Sequence, residues 1–326
     1  MHFIGCDVSK LTLDLAGTNP THPHKHLNHK KPNTRPGWQQ ICRWIDQCWH
    51  APRDQVCLVM EATGVYHQLA AHYFHAAGFR IVICNPGRAS DYSRSQNRLN
   101  KSDALDARSL QCYGARLERI HWFEPDLPEV EELKALLSLL QQLERDIQRW
   151  NNRLEKASYQ PAGKAVRAVL SRQLRNLKRD RDRTQEAIDE LIHGSESLDR
   201  DRQLMCSIIG VGPKTSQILL PLVHGARFNS ARQLAAYLGL TPCHQRSGTS
   251  LATPGRLSGR GDARVREALY MPALTAMRRN PELKAFYEAL ISRGKAPKQA
   301  ITAIMRKLVH LCYGVVKNQT PYGANY

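Results

Sequence analysis

Four acidic residues in the first third of the chain have types and positions suited to a divalent-cation site. Asp7 interrupts an otherwise apolar run, where an unpaired carboxylate would be costly to bury, and Glu61 follows the apolar run Val56–Met60. Asp103 and Asp106 are three residues apart, so both project from one face of a helix. Carboxylate oxygens are preferred ligands of Mg²⁺, and two such ions can stabilise both the attacking and the leaving oxygen of a phosphodiester. The alternative is that each acid is a helix cap or a solvated surface residue, and Asp103 taken alone is better explained as a cap.

A serine in the second half of the chain is the candidate nucleophile. Ser247 begins the run Ser-Gly-Thr-Ser inside residues 239–261, which we predict to be one long irregular loop. A serine beside a glycine in a basic loop can attack phosphorus if its hydroxyl is activated. The loop contains no carboxylate, so a base would have to come from elsewhere, and a loop without chemistry is the alternative. The basic residues expected at the nucleic-acid backbone are Lys10, Lys101 and Arg108 near the acids, and Arg246, Arg256 and Arg260 near the serine.

A glycine turn precedes this loop. Gly210-Val-Gly212, followed by Lys214, lies between two short apolar helical runs and is typical of a helix-hairpin-helix. Glycines there let backbone amides approach a phosphate at a helix N-terminus. A plain turn between two helices needs no ligand and is the alternative.

The charge distribution indicates a polyanionic partner. The chain has 326 residues with 47 Lys and Arg against 29 Asp and Glu, a net charge of +18. Residues 201–326 carry 18 basic and 5 acidic side chains, an excess of +13, whereas residues 126–200 carry 14 of each. The final segment is therefore expected to face nucleic-acid phosphates. We see no secretory leader and no apolar run long enough to cross a bilayer, so we expect a cytoplasmic protein without a membrane partner.

The elements that must position these residues form three predicted domains. Residues 1–125 alternate short apolar strands with helices, which predicts an α/β sheet domain. Its predicted strands are 2–8, 11–15, 24–29, 56–60 and 80–84, and its predicted helices are 36–49, 65–77 and 103–119.

Residues 126–200 are predicted to form a helical stalk. Apolar residues recur there in steps of three and four with charges between them, as in a coiled coil, and Pro161-Ala-Gly163 interrupts the pattern. An intramolecular hairpin and a dimerising stalk both fit. Residues 201–326 are predicted to be helical, with Asn229 and Asp262 as helix caps and Pro281 in a first helical turn.

Taken together, these motifs resemble the DEDD insertion-sequence transposases, whose N-terminal domain is similar to the resolvase RuvC, a fold of the RNase H type. The N-terminal likeness rests on Gly5-Cys-Asp7-Val-Ser-Lys10, Glu61-Ala-Thr-Gly64-Val-Tyr66, Asn85-Pro86 and Asn100-Lys101-Ser-Asp103-Ala-Leu-Asp106-Ala-Arg108. The C-terminal likeness rests on Gly210-Val-Gly212, Phe228 through Gly239-Leu-Thr-Pro242, Ser247-Gly-Thr-Ser250, Arg266-Glu-Ala-Leu-Tyr270-Met-Pro272, Met305-Arg-Lys-Leu308 and Tyr313-Gly314. The stalk matches in character only.

The resemblance implies a DNA recombinase of an insertion sequence, guided to target and donor DNA by a structured bridge RNA. It implies that Asp7, Glu61, Asp103 and Asp106 bind Mg²⁺ and that Ser247 forms a phosphoserine link to a DNA end. It also implies dimers that assemble into a tetramer, in which the acids of one protomer meet the serine of another. Two rival functions remain open: a metal-dependent junction nuclease that uses water, and an architectural nucleic-acid-binding protein without catalysis.

Overall fold

The computed structural model divides the chain into two compact units, Met1–Pro125 and Asp126–Tyr326. The structure describes residues 1–62, 64–96, 102–161, 163–224, 228–243, 246–247, 251–252, 256–257 and 261–323. The first unit is α/β and the second is mostly helical. Among the described residues, no helix combines the length and the apolar character needed to span a bilayer.

The first unit is built on one five-stranded mixed sheet. Its strands are β1 His2–Val8, β2 Thr12–Thr18, β3 His26–Pro32, β4 Val56–Glu61 and β5 Arg80–Cys84. The strand order is β3-β2-β1-β4-β5. Strand β2 pairs antiparallel with both β1 and β3, whereas β4 pairs parallel with both β1 and β5. Its helices are α1 Arg35–Trp49, α2 Gln68–Ala76, α3 Pro86–Ser95 and α4 Asp103–Ala115.

Helices cover both faces of this sheet. On one face, Ile41 of α1 and Phe74 of α2 pack with Leu58 of β4 in one apolar cluster. On the other, Leu110 of α4 packs with Val59 of β4. Strand β4 is therefore buried on both sides, which explains why its sequence is a continuous apolar run rather than an alternating one.

The sequence-based prediction missed α3. No helix is predicted between strand 80–84 and helix 103–119, but Asn85-Pro86-Gly87 begin one. Asn85 is the N-cap, its side chain accepts a hydrogen bond from the backbone N–H of Arg88, and Pro86 occupies the first helical turn. Proline is well tolerated there because the first N–H groups of a helix have no intrahelical partner.

The helices of the second unit share one apolar core, and two long helices extend from it. The helices are α5 Pro128–Ser158, α6 Lys164–Gly194, α7 Glu196–Cys206, α8 Pro213–Val223, α9 Ala231–Tyr237, α10 Ala263–Arg279, α11 Pro281–Ser292 and α12 Pro297–Asn318. Helices α5 and α6 pack on each other, as the hairpin alternative predicts. Leu139 of α5 and Val166 and Val169 of α6 remain exposed.

Of the two predicted caps of the C-terminal helices, one is confirmed and one is wrong, and the predicted first-turn position of Pro281 is confirmed. Asp262 accepts a hydrogen bond from the N–H of Arg264 at the start of α10, and Pro281 opens α11. Helix α9, in contrast, is capped by Ser230 rather than by Asn229. Serine and asparagine are both good N-caps, so sequence preference alone does not separate neighbouring candidates.

Candidate active site

Asp7 and Glu61 lie at the same end of the sheet on neighbouring parallel strands. The register pairs Cys6 of β1 with Met60 of β4, so the next residue of each strand is one of the two acids. The carboxyl ends of parallel strands meet at one edge of a sheet, which explains why residues far apart in sequence converge here. Asp7 is half-buried and Glu61 is partly exposed.

Helix α4 brings Asp103 and Asp106 to this edge because a glycine lets it approach the sheet closely. Both acids are in the first turn of α4, which Ser102 caps through its side chain. The helix packs on β1, where a Cβ at Gly5 would overlap the carbonyl oxygen of Ala107. Only glycine allows such an approach without moving the helix.

The pKa of Asp7 reflects both its burial and the other acids near it. This pKa is raised from 3.8 to about 6, most strongly by burial and then by the charges of Asp106, Asp103, Asp14 and Glu61, in that order. Like charges disfavour the ionised form of a carboxyl group, as does removal from water. The four acids predicted from the sequence therefore act on one another, and a fifth, Asp14, belongs to the same group.

The sequence-based prediction missed Asp14 and also Lys30. Asp14 is buried, lies directly opposite Asp7 on β2, and has Lys30 of β3 as its partner on the other side. The Lys30 Nζ atom is 3.0 Å from Asp14 Oδ2 and 3.1 Å from Asp103 Oδ2. Asp14 had a signal in the sequence, since it interrupts the run Leu13-Asp-Leu15 as Asp7 interrupts its own strand.

The predicted irregular loop contains two short antiparallel strand pairs. Strand β6 Pro242–Cys243 pairs with β9 Arg256–Leu257, and β7 Arg246–Ser247 pairs with β8 Leu251–Ala252. Two-residue strands are shorter than the runs of four or more by which a sequence pattern reveals a strand. The structure gives the backbone of Ser247 in β7, whereas its side chain and those of Arg246 and Arg256 lie outside what it describes.

The predicted glycine turn joins α7 to α8, and its two glycines have different surroundings. Gly210 has a φ of +103°, and a Cβ there would lie 2.6 Å from the Cβ of Ala276 in α10. Gly210 is thus required by the fold itself. Gly212 is the N-cap of α8 with open space beside it, and Lys214 is exposed in the first turn of that helix.

Comparison with known proteins identifies the family. Residues 4–157 match the IS110-type DEDD transposase family, and residues 202–288 match the family described as Transposase IS116/IS110/IS902. The pilin gene-inverting protein of Moraxella lacunata is 30% identical over 322 residues, which cover 98% of this chain and 97% of that protein. The chain belongs to the IS110/IS116/IS902 family of transposases. The predicted resemblance is confirmed.

Other proteins similar to this transposase support the same family. The pilin gene-inverting protein of Moraxella bovis is 30% identical over 322 residues. The insertion element IS110 43.6 kDa protein of Streptomyces coelicolor is 30% identical over 120 residues, 36% of this chain and 29% of that protein. The transposase is accordingly an enzyme of DNA recombination.

The structure describes two of the three basic residues predicted near the acids of the transposase. Lys10 is exposed in the turn between β1 and β2, and Arg108 is exposed on α4. Lys101 lies outside the described residues, as does Arg260 in the second unit. The two exposed cations are available to a phosphate.

The carboxylates of the transposase fit a divalent cation by their chemistry. Transposases with a DEDD domain typically use a divalent metal ion. Acidic oxygens are the ligands such ions prefer, and a cation there would relieve the repulsion that, together with the larger effect of burial, raises the pKa of Asp7. In the described part of the chain, however, no three His, Cys, Asp or Glu side chains are arranged to hold an ion. The Asp103 carboxylate is instead in contact with Lys30.

Proposed function

We propose that this transposase exchanges DNA strands through a covalent phosphoserine intermediate on Ser247, guided by a structured bridge RNA. The observation that carries the proposal is the convergence of Asp7, Glu61, Asp103 and Asp106 at one end of the sheet, where burial first and then the neighbouring carboxylates raise the pKa of Asp7. The strand order and directions of the first unit support a RuvC-like fold. The excess of +13 in residues 201–326 supports contact with DNA and RNA phosphates.

In this mechanism the four acids and Ser247 have different roles. The four acids would hold Mg²⁺, which when bound supplies a positive charge that stabilises the transferring phosphoryl group. The Ser247 oxygen forms a bond to phosphorus while one backbone P–O bond breaks, and the released DNA hydroxyl takes up a proton as the serine gives one up. Attack by a second DNA hydroxyl on the phosphoserine restores the diester and the free serine. The number of phosphate ester bonds is conserved.

We propose that the site is composite within a tetramer assembled from dimers. The resemblance implies that the acids of one protomer meet Ser247 of another, which would supply the activation that residues 239–261 lack on their own. The exposed apolar side chains of the α5 and α6 hairpin support association of protomers through this stalk. We also propose that Gly212, Lys214, Arg246 and Arg256 contact nucleic-acid backbone.

A covalent trapping experiment tests the serine. Labelled DNA carrying the element's ends is incubated with the full-length protein, its co-purified RNA and Mg²⁺, and then run on a denaturing gel. Ser247→Ala is expected to abolish the protein-DNA adduct and to retain DNA binding, whereas Ser250→Ala, a change to a serine in the same segment, is expected to keep the adduct. An adduct that survives Ser247→Ala contradicts the serine assignment.

The same gel separates the rival functions. A junction nuclease would release cut DNA without any adduct, and an architectural protein would bind DNA without cutting it. RNA extracted from natively purified protein tests the guide: a discrete RNA species supports it, and protein free of RNA that still recombines DNA contradicts it.

A further inference from the structure

A lysine, Lys30, contacts two carboxylates of the acid group in the first unit. Asp7, Asp14 and Lys30 are directly opposite one another on β1, β2 and β3, and residues paired in this way project from the same face of a sheet. Asp103 reaches this face from α4. The positively charged side chain of Lys30 therefore lies at the same part of the sheet as these carboxylates.

Lys30 joins the sheet to the helix that carries two of the predicted metal ligands. Its ammonium contacts Asp14 on the neighbouring strand and Asp103 at the start of α4. Thr12 also donates a hydrogen bond to Asp14, at 3.4 Å. The fixed partner is therefore Asp14, which is buried, whereas the Asp103 side chain is 64% exposed and can turn away.

The lysine contact with Asp103 is of a kind that another cation can replace. The Lys30 side chain is itself 53% exposed, and ion pairs between exposed groups contribute little to stability. A divalent ion carries twice the charge and prefers carboxylate oxygen as a ligand. It would therefore compete for the same oxygen that the ammonium now contacts.

We propose that Lys30 is a tethered counter-ion that holds Asp103 and Asp14 together until a divalent cation replaces it on Asp103. Lys30 is then a positioning residue, and Asp14 is the buried anchor that keeps the displaced ammonium beside the site. This inference rests on the proposed metal-binding function of the acids. Its consequence is that the native lysine weakens metal binding, because its positive charge repels the incoming ion.

Direct measurement of Mn²⁺ binding tests this role. Full-length wild-type protein and Lys30→Met are titrated with Mn²⁺, with free Mn²⁺ followed by its electron paramagnetic resonance signal. Lys30→Met is expected to bind Mn²⁺ about tenfold more tightly, since a nearby positive charge is lost. In EDTA its thermal midpoint is expected to be lower than that of wild type, and saturating Mn²⁺ is expected to raise the midpoint by more than in wild type.

Lys31→Met is the matched control. Lys31 follows Lys30 on β3 and is opposite Leu13, so it projects from the other face of the sheet. The Lys31→Met substitution removes one positive charge from the same strand as Lys30→Met does, and it is expected to leave the Mn²⁺ affinity unchanged. Lys30→Arg, which keeps the charge, is expected to retain wild-type affinity. If Lys30→Met does not fold, as judged by circular dichroism, Lys30→Gln replaces it in the same titration.

Two failures are distinguishable. If Asp7→Asn weakens Mn²⁺ binding but the uncharged Lys30 variant binds no more tightly than wild type, the counter-ion role is overturned and the metal site stands. An equal gain in Lys31→Met also overturns it, because the effect is then one of overall charge. If wild-type binding is absent, or Asp7→Asn leaves it unchanged, the proposed metal site fails and the inference with it.

Discussion

Asp201 of the second unit is buried and Asp7 of the first is half-buried, and the surroundings of these two carboxylates differ. Asp201 in α7 is only 5% exposed, and both of its oxygens have partners: Gln319 Nε2 donates to Oδ1 at 2.8 Å, and His224 Nδ1 lies 2.7 Å from Oδ2. Asp7 in β1 is half-buried, and its neighbours of greatest effect are four other carboxylates, which together with burial raise its pKa.

The difference separates an acid that stabilises the fold from one that opposes it. A buried carboxylate with partners is held by charge-assisted hydrogen bonds, whereas one surrounded by like charges costs free energy in the folded state. Such a cost is found at functional sites, where a ligand relieves it. We therefore propose a structural role for Asp201 and a catalytic role for Asp7, and three measurements test this difference.

The largest expected effect is the loss of recombination in Asp7→Asn. The change removes a charge from the proposed metal site, so we expect recombination to fall by about 1000-fold, the scale at which loss of a preorganised electrostatic group is felt. The protein is expected to remain folded, because the change also removes like-charge repulsion. Recombination of a reporter DNA and far-ultraviolet circular dichroism measure the two properties.

Asp54→Asn is the control for this change. Asp54 is an exposed acid of the same unit outside the acid group, and its variant is expected to recombine DNA like wild type. An active Asp7→Asn would remove Asp7 from the catalytic set.

A smaller effect, on stability rather than catalysis, is expected for Asp201→Ala. The change leaves His224 and Gln319 without their shared partner inside the fold, and we expect the free energy of unfolding to fall by about 2 kcal/mol. Urea unfolding followed by circular dichroism measures it. Asp199→Ala on the same helix removes a partly exposed pair with Arg202 and a hydrogen bond from Gln203, so its loss should stay below about 1 kcal/mol. Equal losses in the two variants would show that Asp201 is no more important to the fold than a partly exposed acid.

The smallest expected effect is a pH dependence of stability due to Asp7. Its pKa is about 6 in the folded protein and 3.8 as the ordinary value, so the folded state binds more protons between these pH values. Stability should therefore rise as the pH falls from 7.5 toward 4.5. Because Asp7 is only half-buried, we expect a contribution of about 1 kcal/mol.

Comparison with Asp7→Asn isolates this contribution. Urea unfolding of both proteins at pH 7.5 and 5.0, in EDTA, gives the change with pH for each. The wild type should gain about 1 kcal/mol more than the variant on acidification, and parallel behaviour of the two proteins would contradict the shifted pKa.

The local patterns of the chain predict much of the first unit. The apolar runs 2–8, 56–60 and 80–84 correspond to β1, β4 and β5, because burial on both faces imposes apolar residues that a sequence shows directly. Asp7 and Glu61 were recognisable because a carboxylate is conspicuous in or directly after an apolar run. Helix α3 was missed because its starting residues also serve as turn residues.

Pairs of residues made by strand register are beyond such patterns. Lys30 is one of several charges in a polar edge strand, and nothing in its neighbours along the chain connects it with Asp14 or Asp103. The contact exists because β2 and β3 pair in one particular register and because Gly5 lets α4 lie close to β1. Both features depend on contacts between residues that are far apart in the sequence.

The types of chemistry available to this transposase can be read from its residues alone: a set of carboxylates, a serine in a predicted loop and the strong positive charge of residues 201–326. Residue type and spacing carry that information because they express local preferences for burial, charge and helix formation. Which carboxylates lie near one another, and the contacts of Lys30 with Asp14 and Asp103, depend on how the strands and α4 pack. Electrostatic effects depend on distance through space, and the distances are set when the sheet and α4 pack.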